Sequence, residues 1–130
     1  MAMTLLVDDD PRFRETLKEI LCSRFPSMDI AEAAETGEAL KKIEGRVPDL
    51  IFMDIQLPGE NGLFLTRRIK KSHPSLPVII LTNHDLPEYR EAASDYGADA
   101  FLSKQETSLT ELVETVEALL DDHGAQHQES

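Results

Sequence analysis

The sequence predicts an α/β protein: a doubly wound parallel sheet of five strands, with five helices shared between its two faces. Two observations predict it. Short apolar runs alternate along the chain with stretches whose apolar residues recur at helical spacing, and such alternation folds as a parallel sheet covered on both sides. The runs are also apolar on successive residues, as "LIFM" at 50–53 is. That suits strands buried on both faces.

The elements follow in order. "MTLLV" (3–7) reads as the first strand. Phe13, Leu17, Ile20 and Leu21 then recur at i, i+4, i+7 and i+8, one face of a helix. "MDIAEAA" (28–34) alternates weakly and reads as the second strand. Thr36 is the expected cap of a short helix carrying Leu40 and Ile43. Residues 50–53 form the third strand. Pro58, Gly59, Asn61 and Gly62 mark a loop, and the helix beyond it turns Leu65 and Ile69 inward. "PVIIL" (77–81) is the fourth strand, rich in β-branched residues. Tyr89, Ala92, Ala93 and Tyr96 make the next helical face, stopped by Gly97. "AFL" (100–102) is a short fifth strand. Leu109, Leu112, Val113, Val116, Leu119 and Leu120 give the clearest helix.

The composition bounds the function. The chain has 130 residues, 41% of them hydrophobic, enough for one domain with a real core. With 25 acids against 13 bases the formal charge is −12. Such a surface repels nucleic acid and anionic membrane, and suits basic partners or divalent cations. Cys22 is the only cysteine, so no internal disulfide forms. No apolar run approaches a membrane span, and "MAMTLLVDDD" lacks the basic start of a secretory signal. A soluble cytoplasmic protein is expected. Residues 1–121 form the expected domain, and "DDHGAQHQES" at its end, with residues 122–130, reads as a flexible tail or the start of a linker.

The chemistry lies just after the strands. In open α/β sheets, ligands bind beyond the carboxyl ends of the strands. The residues there are Asp8 and Asp9, Asp54, Thr82, and Lys104. Three carboxylates in one pocket repel each other, and a hard cation with oxygen ligands removes that cost. Three carboxylates and one lysine leave −2, which one Mg²⁺ cancels. A metal, a lysine and a hydroxyl can also hold a phosphoryl group. A carboxylate can serve as its acceptor, forming an aspartyl phosphate.

Together "LLVDDD", "MDIQLPGENGL", "VIILTN" and "GADAFLSK" resemble the receiver domain of two-component response regulators, over residues 3–121. The resemblance implies the flavodoxin-like receiver fold, with strand order 2-1-3-4-5. It implies that Asp54 is the phosphoacceptor. Asp9 then binds Mg²⁺ directly, Asp8 through water, and the backbone carbonyl of Gln56 is a further ligand beside Asp54. Thr82 and Lys104 hold phosphoryl oxygens, and Phe101 is the aromatic switch partner of Thr82. His84 and Gln56 occupy the positions that tune loss of phosphate. The implied donor is a sensor histidine kinase or a phosphotransfer protein. The implied output surface covers 84–112, for a homodimer or an effector domain. Such a domain is no enzyme in its own right, though it assists its own phosphorylation and dephosphorylation. "GENGLFLTRRIK" and "FLSKQET" look most like the receivers of LuxR/NarL-type transcription regulators. One departure stands out: Gln105 follows Lys104 where the family often has proline, commonly with a cis peptide, which costs about 2.5–4 kcal/mol without proline.

Other readings fit parts of the same residues. A stand-alone receiver acting by protein contacts fits the same motifs. A haloacid-dehalogenase-like phosphatase would use Asp8 as nucleophile, with Asp10 beside it in a D-x-D pattern; it lacks a later acidic metal motif and a cap domain. A receiver-like module that never takes phosphate is opposed by the full acid set and Lys104. Taken singly, Asp10 reads as a helix cap, Cys22 as inert packing on the inner face of the first helix, and "TRRIKK" (66–71) as a salt-bridged helix face. His123 and His127 have metal spacing only on an ordered helix, and are expected to be solvated.

Overall fold

The computed structural model describes the backbone of residues 2–129 and the side chains of residues 2–121. The tail expected over 122–130, with His123 and His127, lies outside the described side chains. The elements run β1 (Met3–Val7), α1 (Pro11–Arg24), β2 (Asp29–Ala33), α2 (Thr36–Gly45), β3 (Leu50–Met53), α3 (Gly62–Ser72), β4 (Val78–Thr82), α4 (Pro87–Asp95), β5 (Ala100–Ser103) and α5 (Leu109–Glu129). All strands pair in parallel, in the order β2-β1-β3-β4-β5. This is the architecture and strand order expected.

The sheet separates two apolar layers. Leu5, Val7, Ile51, Met53, Val78 and Ile80 face α2, α3 and α4 through Ala39, Ile43, Leu65, Ile69 and Ala93. Leu6, Leu50, Phe52, Ile79 and Leu81 face α1 and α5 through Leu17, Leu21, Leu112 and Val116. β1, β3 and β4 are buried along their whole length. Their successive apolar residues supply both layers at once, because side chains alternate across a strand.

Four local expectations are corrected. β4 begins one residue later than its apolar run, at Val78. Pro77 has no N–H to give the ladder, though its carbonyl still accepts from the Ile51 amide at 3.0 Å. Glu35, not Thr36, caps α2: its carboxylate accepts from the Glu38 amide at 2.6 Å. The Thr36 hydroxyl instead accepts from the Glu60 amide at 3.0 Å, clasping the loop after β3. Cys22 is exposed: Leu21 takes the inner face of α1, and the next residue turns about 100° away. Leu109 opens α5 but is exposed, so the buried face starts at Leu112. Asp10 does cap α1, accepting from the Arg12 and Phe13 amides.

Candidate functional site

The parallel sheet brings the strand ends together. The Asp8 amide donates to Ala33 O at 3.0 Å, the Asp54 amide to Val7 O at 2.9 Å, and the Lys104 amide to Thr82 O at 2.9 Å. The ladder thus continues past the last strand residues and fixes the backbone from which these side chains project. Gly62 closes the support behind Asp54. Its amide donates to Ile55 O at 2.7 Å, and a Cβ there would overlap the Asp54 carbonyl oxygen. Only glycine lets α3 start this close to the end of β3. Gly59, in the loop between them, has φ +94°.

Lys104 is the hub. Its Nζ donates to Asp8 Oδ2 at 2.6 Å and to Asp54 Oδ2 at 3.2 Å. The lysine side chain is 7% exposed and the two carboxylates 8% and 10%. Asp8 Oδ1 accepts from the Asp10 amide at 2.9 Å, and Asp54 Oδ1 from its neighbour Ile55 at 2.7 Å. Asp9 is exposed, and among the described residues it makes no side-chain hydrogen bond or ion pair. Asp8, Asp9 and Asp54 each offer an oxygen within 4.8 Å of the others. Asp9, Asp54, Gln56, Asn83, His84 and Lys104 line a polar hollow of about 220 Å³.

The electrostatics follow from crowding. Burial pushes the Asp8 carboxyl above its usual 3.8, against the Lys104 hydrogen bond that opposes it, and the Asp54 charge adds to the rise. Burial alone would lower Lys104, but the hydrogen bond it donates to Asp8 and the charges of Asp54 and Asp8 outweigh it and hold the amine above 10.5. The lysine is therefore charged at neutral pH, and one cation faces three acids. An oxygen-ligated divalent cation fits that excess of charge and donor type.

Two expected residues stand apart from this cluster. Thr82 is buried at the end of β4, and its Oγ1 accepts from the His84 amide at 3.1 Å, leaving its own O–H free to donate. Phe101 is half-buried on β5 against the layer of α2, α3 and α4. The Arg90 guanidinium lies 4.7 Å above its ring. The same guanidinium grips Asp85 at 2.6 and 3.0 Å. In the "TRRIKK" stretch, Arg68 pairs with Glu60 and Lys70 with Asp99, as expected of a salt-bridged face.

Sequence reasoning missed three parts of this arrangement. Phe13 reads as a core residue at helical spacing, yet its ring lies 4.2 Å from the Lys104 ammonium. Arg90 carries no sequence signal at all. The turn after Lys104 has no cis peptide, as is true of every described bond. It is held instead by Ser103 Oγ, which accepts from the Gln105 and Glu106 amides at 3.2 Å, and by Thr107 Oγ1, which accepts from the Ser103 amide at 3.0 Å. The serine and threonine four apart were the available signal, since both side chains bond nearby amides in turns.

Comparison with known proteins agrees with this picture. Residues 4–117 match the family model described as the response regulator receiver domain. The transcriptional activator protein ExaE of Pseudomonas putida is 38% identical over 100 residues, 77% of this chain and 47% of that protein. The response regulator MprA of Mycobacterium sp. (strain KMS) is 35% identical over 116 residues, 89% of this chain and 49% of that protein. The chain thus spans about half the length of these curated relatives. Among solved structures, a CheY-like receiver domain protein from Methanospirillum hungatei JF-1 superposes with TM-score 0.87 at 29% identity, covering 97% of this chain and 98% of that one. A LuxR-family two-component response regulator from Aurantimonas sp. SI85-9A1 gives 0.84 at 34%, covering 94% and 86%.

Proposed function

The chain belongs to the response regulator receiver domain family, and we propose that it takes its phosphoryl group on Asp54 and relays the event through residues 84–112. It is a receiver domain of the two-component type and not a member of a classical enzyme family. One observation carries the assignment to Asp54. Its carboxylate stands at the end of a central strand, on the wall of the polar hollow, with Lys104 3.2 Å away and two further acids beside it.

The donor is the phosphohistidine of a sensor kinase or phosphotransfer protein. An Asp54 carboxylate oxygen bonds to phosphorus as the P–N bond breaks, and the imidazole leaves with the electron pair. Lys104 meets the charge on one phosphoryl oxygen, and the Thr82 O–H donates to another. Asp9, Asp54 and the Gln56 carbonyl, with Asp8 through water, would hold Mg²⁺. When bound, Mg²⁺ supplies charge neutralisation for the acids and the incoming group. Hydrolysis of the acyl phosphate returns Asp54, with His84 and Gln56 beside the path of the attacking water.

The whole protein is proposed to be a cytoplasmic DNA-binding transcription regulator. The length of the relatives and the name of the Pseudomonas one support this. The receiver segment itself, with its net negative charge, does not touch the DNA. Near-complete coverage of the Methanospirillum protein supports the second reading, a stand-alone receiver acting through protein contacts. The family match over residues 4–117 favours Asp54 over Asp8 as nucleophile, against the phosphatase alternative.

Intact mass after incubation with acetyl phosphate and Mg²⁺ tests the proposal. One phosphoryl group is expected on the wild type, and none with EDTA or in Asp54→Asn. An Asp54→Asn protein that still gains the group would sink the assignment.

A further inference from the structure

We propose that Phe13 is a positioning residue for Lys104, holding the ammonium where it serves both Asp54 and an arriving phosphoryl group. The proposal rests on the reading of Asp54 as phosphoacceptor. Lys104 Nζ lies 4.2 Å from the Phe13 ring centroid. The ammonium therefore has two carboxylates and one ring face around it, at 7% side-chain exposure. A ring face attracts a cation, and more strongly when water is excluded. It does so without negative charge. A third carboxylate in that place would add to the excess of negative charge that an arriving phosphoryl group must meet, whereas the ring fixes the amine without adding any.

The fold aims the ring deliberately. Phe13 sits in the first turn of α1, and its own amide is one of the two that Asp10 caps. Arg14, the next residue, donates to the Asp8 carbonyl at 2.6 Å. The start of α1 is thus tied to the end of β1, which fixes the backbone that carries the ring beside the lysine. Phe13 also packs against the apolar layer facing α1 and α5, but that packing does not call for a ring. Phe13 is only half-buried, and it borders a groove of about 190 Å³ between α1 and α5, beside Ile20, Leu109 and Leu112. A leucine would supply apolar volume there but no ring face.

The test compares wild type, Phe13→Leu and Phe13→Tyr at saturating acetyl phosphate and Mg²⁺, following phosphorylation by intact mass. Phe13→Leu should lower the rate constant about three- to tenfold, the worth of one partly desolvated cation–π contact, and Phe13→Tyr should keep it within about twofold of wild type for the same reason. Proton spectra of the wild type give a second readout that needs no variant: the Lys104 ε-methylene should be displaced upfield by the ring. Equal rates in all three proteins, equal slowing by leucine and tyrosine, or an undisplaced ε-methylene would overturn the proposal while leaving Asp54 as acceptor. A wild type that takes no phosphate would overturn both.

Discussion

At the scale of single residues, the site is a compromise among charges that sequence alone would keep apart. Asp8 makes stability depend on pH in the acid range. Its folded pKa lies above 3.8, chiefly because it is buried. The stability linked to its protonated form is fully present below 3.8 and is lost as pH rises through the raised value. Asp8→Asn in EDTA should therefore flatten the fall in melting temperature across that window. An unchanged slope would mean that Asp8 is not desolvated as described. Lys104 works in the same sense at the alkaline end of the scale. Its charged form stabilises the fold at all pH values below 10.5, and that contribution is lost as pH rises through its raised folded pKa. Lys104→Met leaves two buried carboxylates uncompensated, and should cost about 3 kcal/mol at neutral pH without metal. Gly62→Ala should cost roughly 1–3 kcal/mol, as overpacking does, because its Cβ meets the Asp54 carbonyl. It should also slow phosphorylation, since Asp54 must shift; equilibrium denaturation and a phosphorylation time course check the two effects.

At the scale of elements, strands were easiest to read and connections hardest. "LIFM" and "VIIL" are apolar at every position because both faces of β3 and β4 are covered, so their existence could not be hidden. The cap of α2 was misread because threonine is a preferred capping residue and glutamate is not, whereas the Thr36 hydroxyl is taken by Glu60, far along the chain. The acids and the lysine were legible because the sheet's end is a known place for ligands. Phe13 and Arg90 were not, because an apolar residue and an exposed arginine look the same whether or not a ring and a cation meet. Arg90 nevertheless joins two elements that matter. It grips Asp85, three residues past Thr82, and covers the ring of Phe101 on β5. Arg90→Leu should free the Phe101 ring while changing the melting temperature little, since an exposed ion pair is screened by water and adds little to stability. Beryllofluoride, a mimic of the phosphoryl group, should then move amide signals across 84–112 more completely in this variant than in wild type. Identical spectra would show that the arginine does not restrain the ring.

At the scale of the whole molecule, the formal charge of −12 sets the terms. No helix among the described residues is long and apolar enough to cross a membrane, and three of the acids meet where a cation is wanted. Folding brings Asp54 within 4.8 Å of the neighbouring Asp8 and Asp9, although it lies far from them in the sequence. Mg²⁺ should therefore stabilise the native state, by about 1.4 kcal/mol at ten times its dissociation constant. Asp9→Asn should lose most of that gain, and Asp54→Asn should melt higher than wild type in EDTA. Equal melting temperatures throughout would mean that the three carboxylates do not share one site. The most direct measurement is chemical. Protein phosphorylated with acetyl phosphate and Mg²⁺ is reduced with borohydride, which converts an aspartyl phosphate to homoserine, and its peptides are sequenced by mass spectrometry. Homoserine at position 54 and nowhere else is the result expected of a phosphoacceptor there. Homoserine at position 8, or at no position in a protein that had gained phosphate, would contradict it.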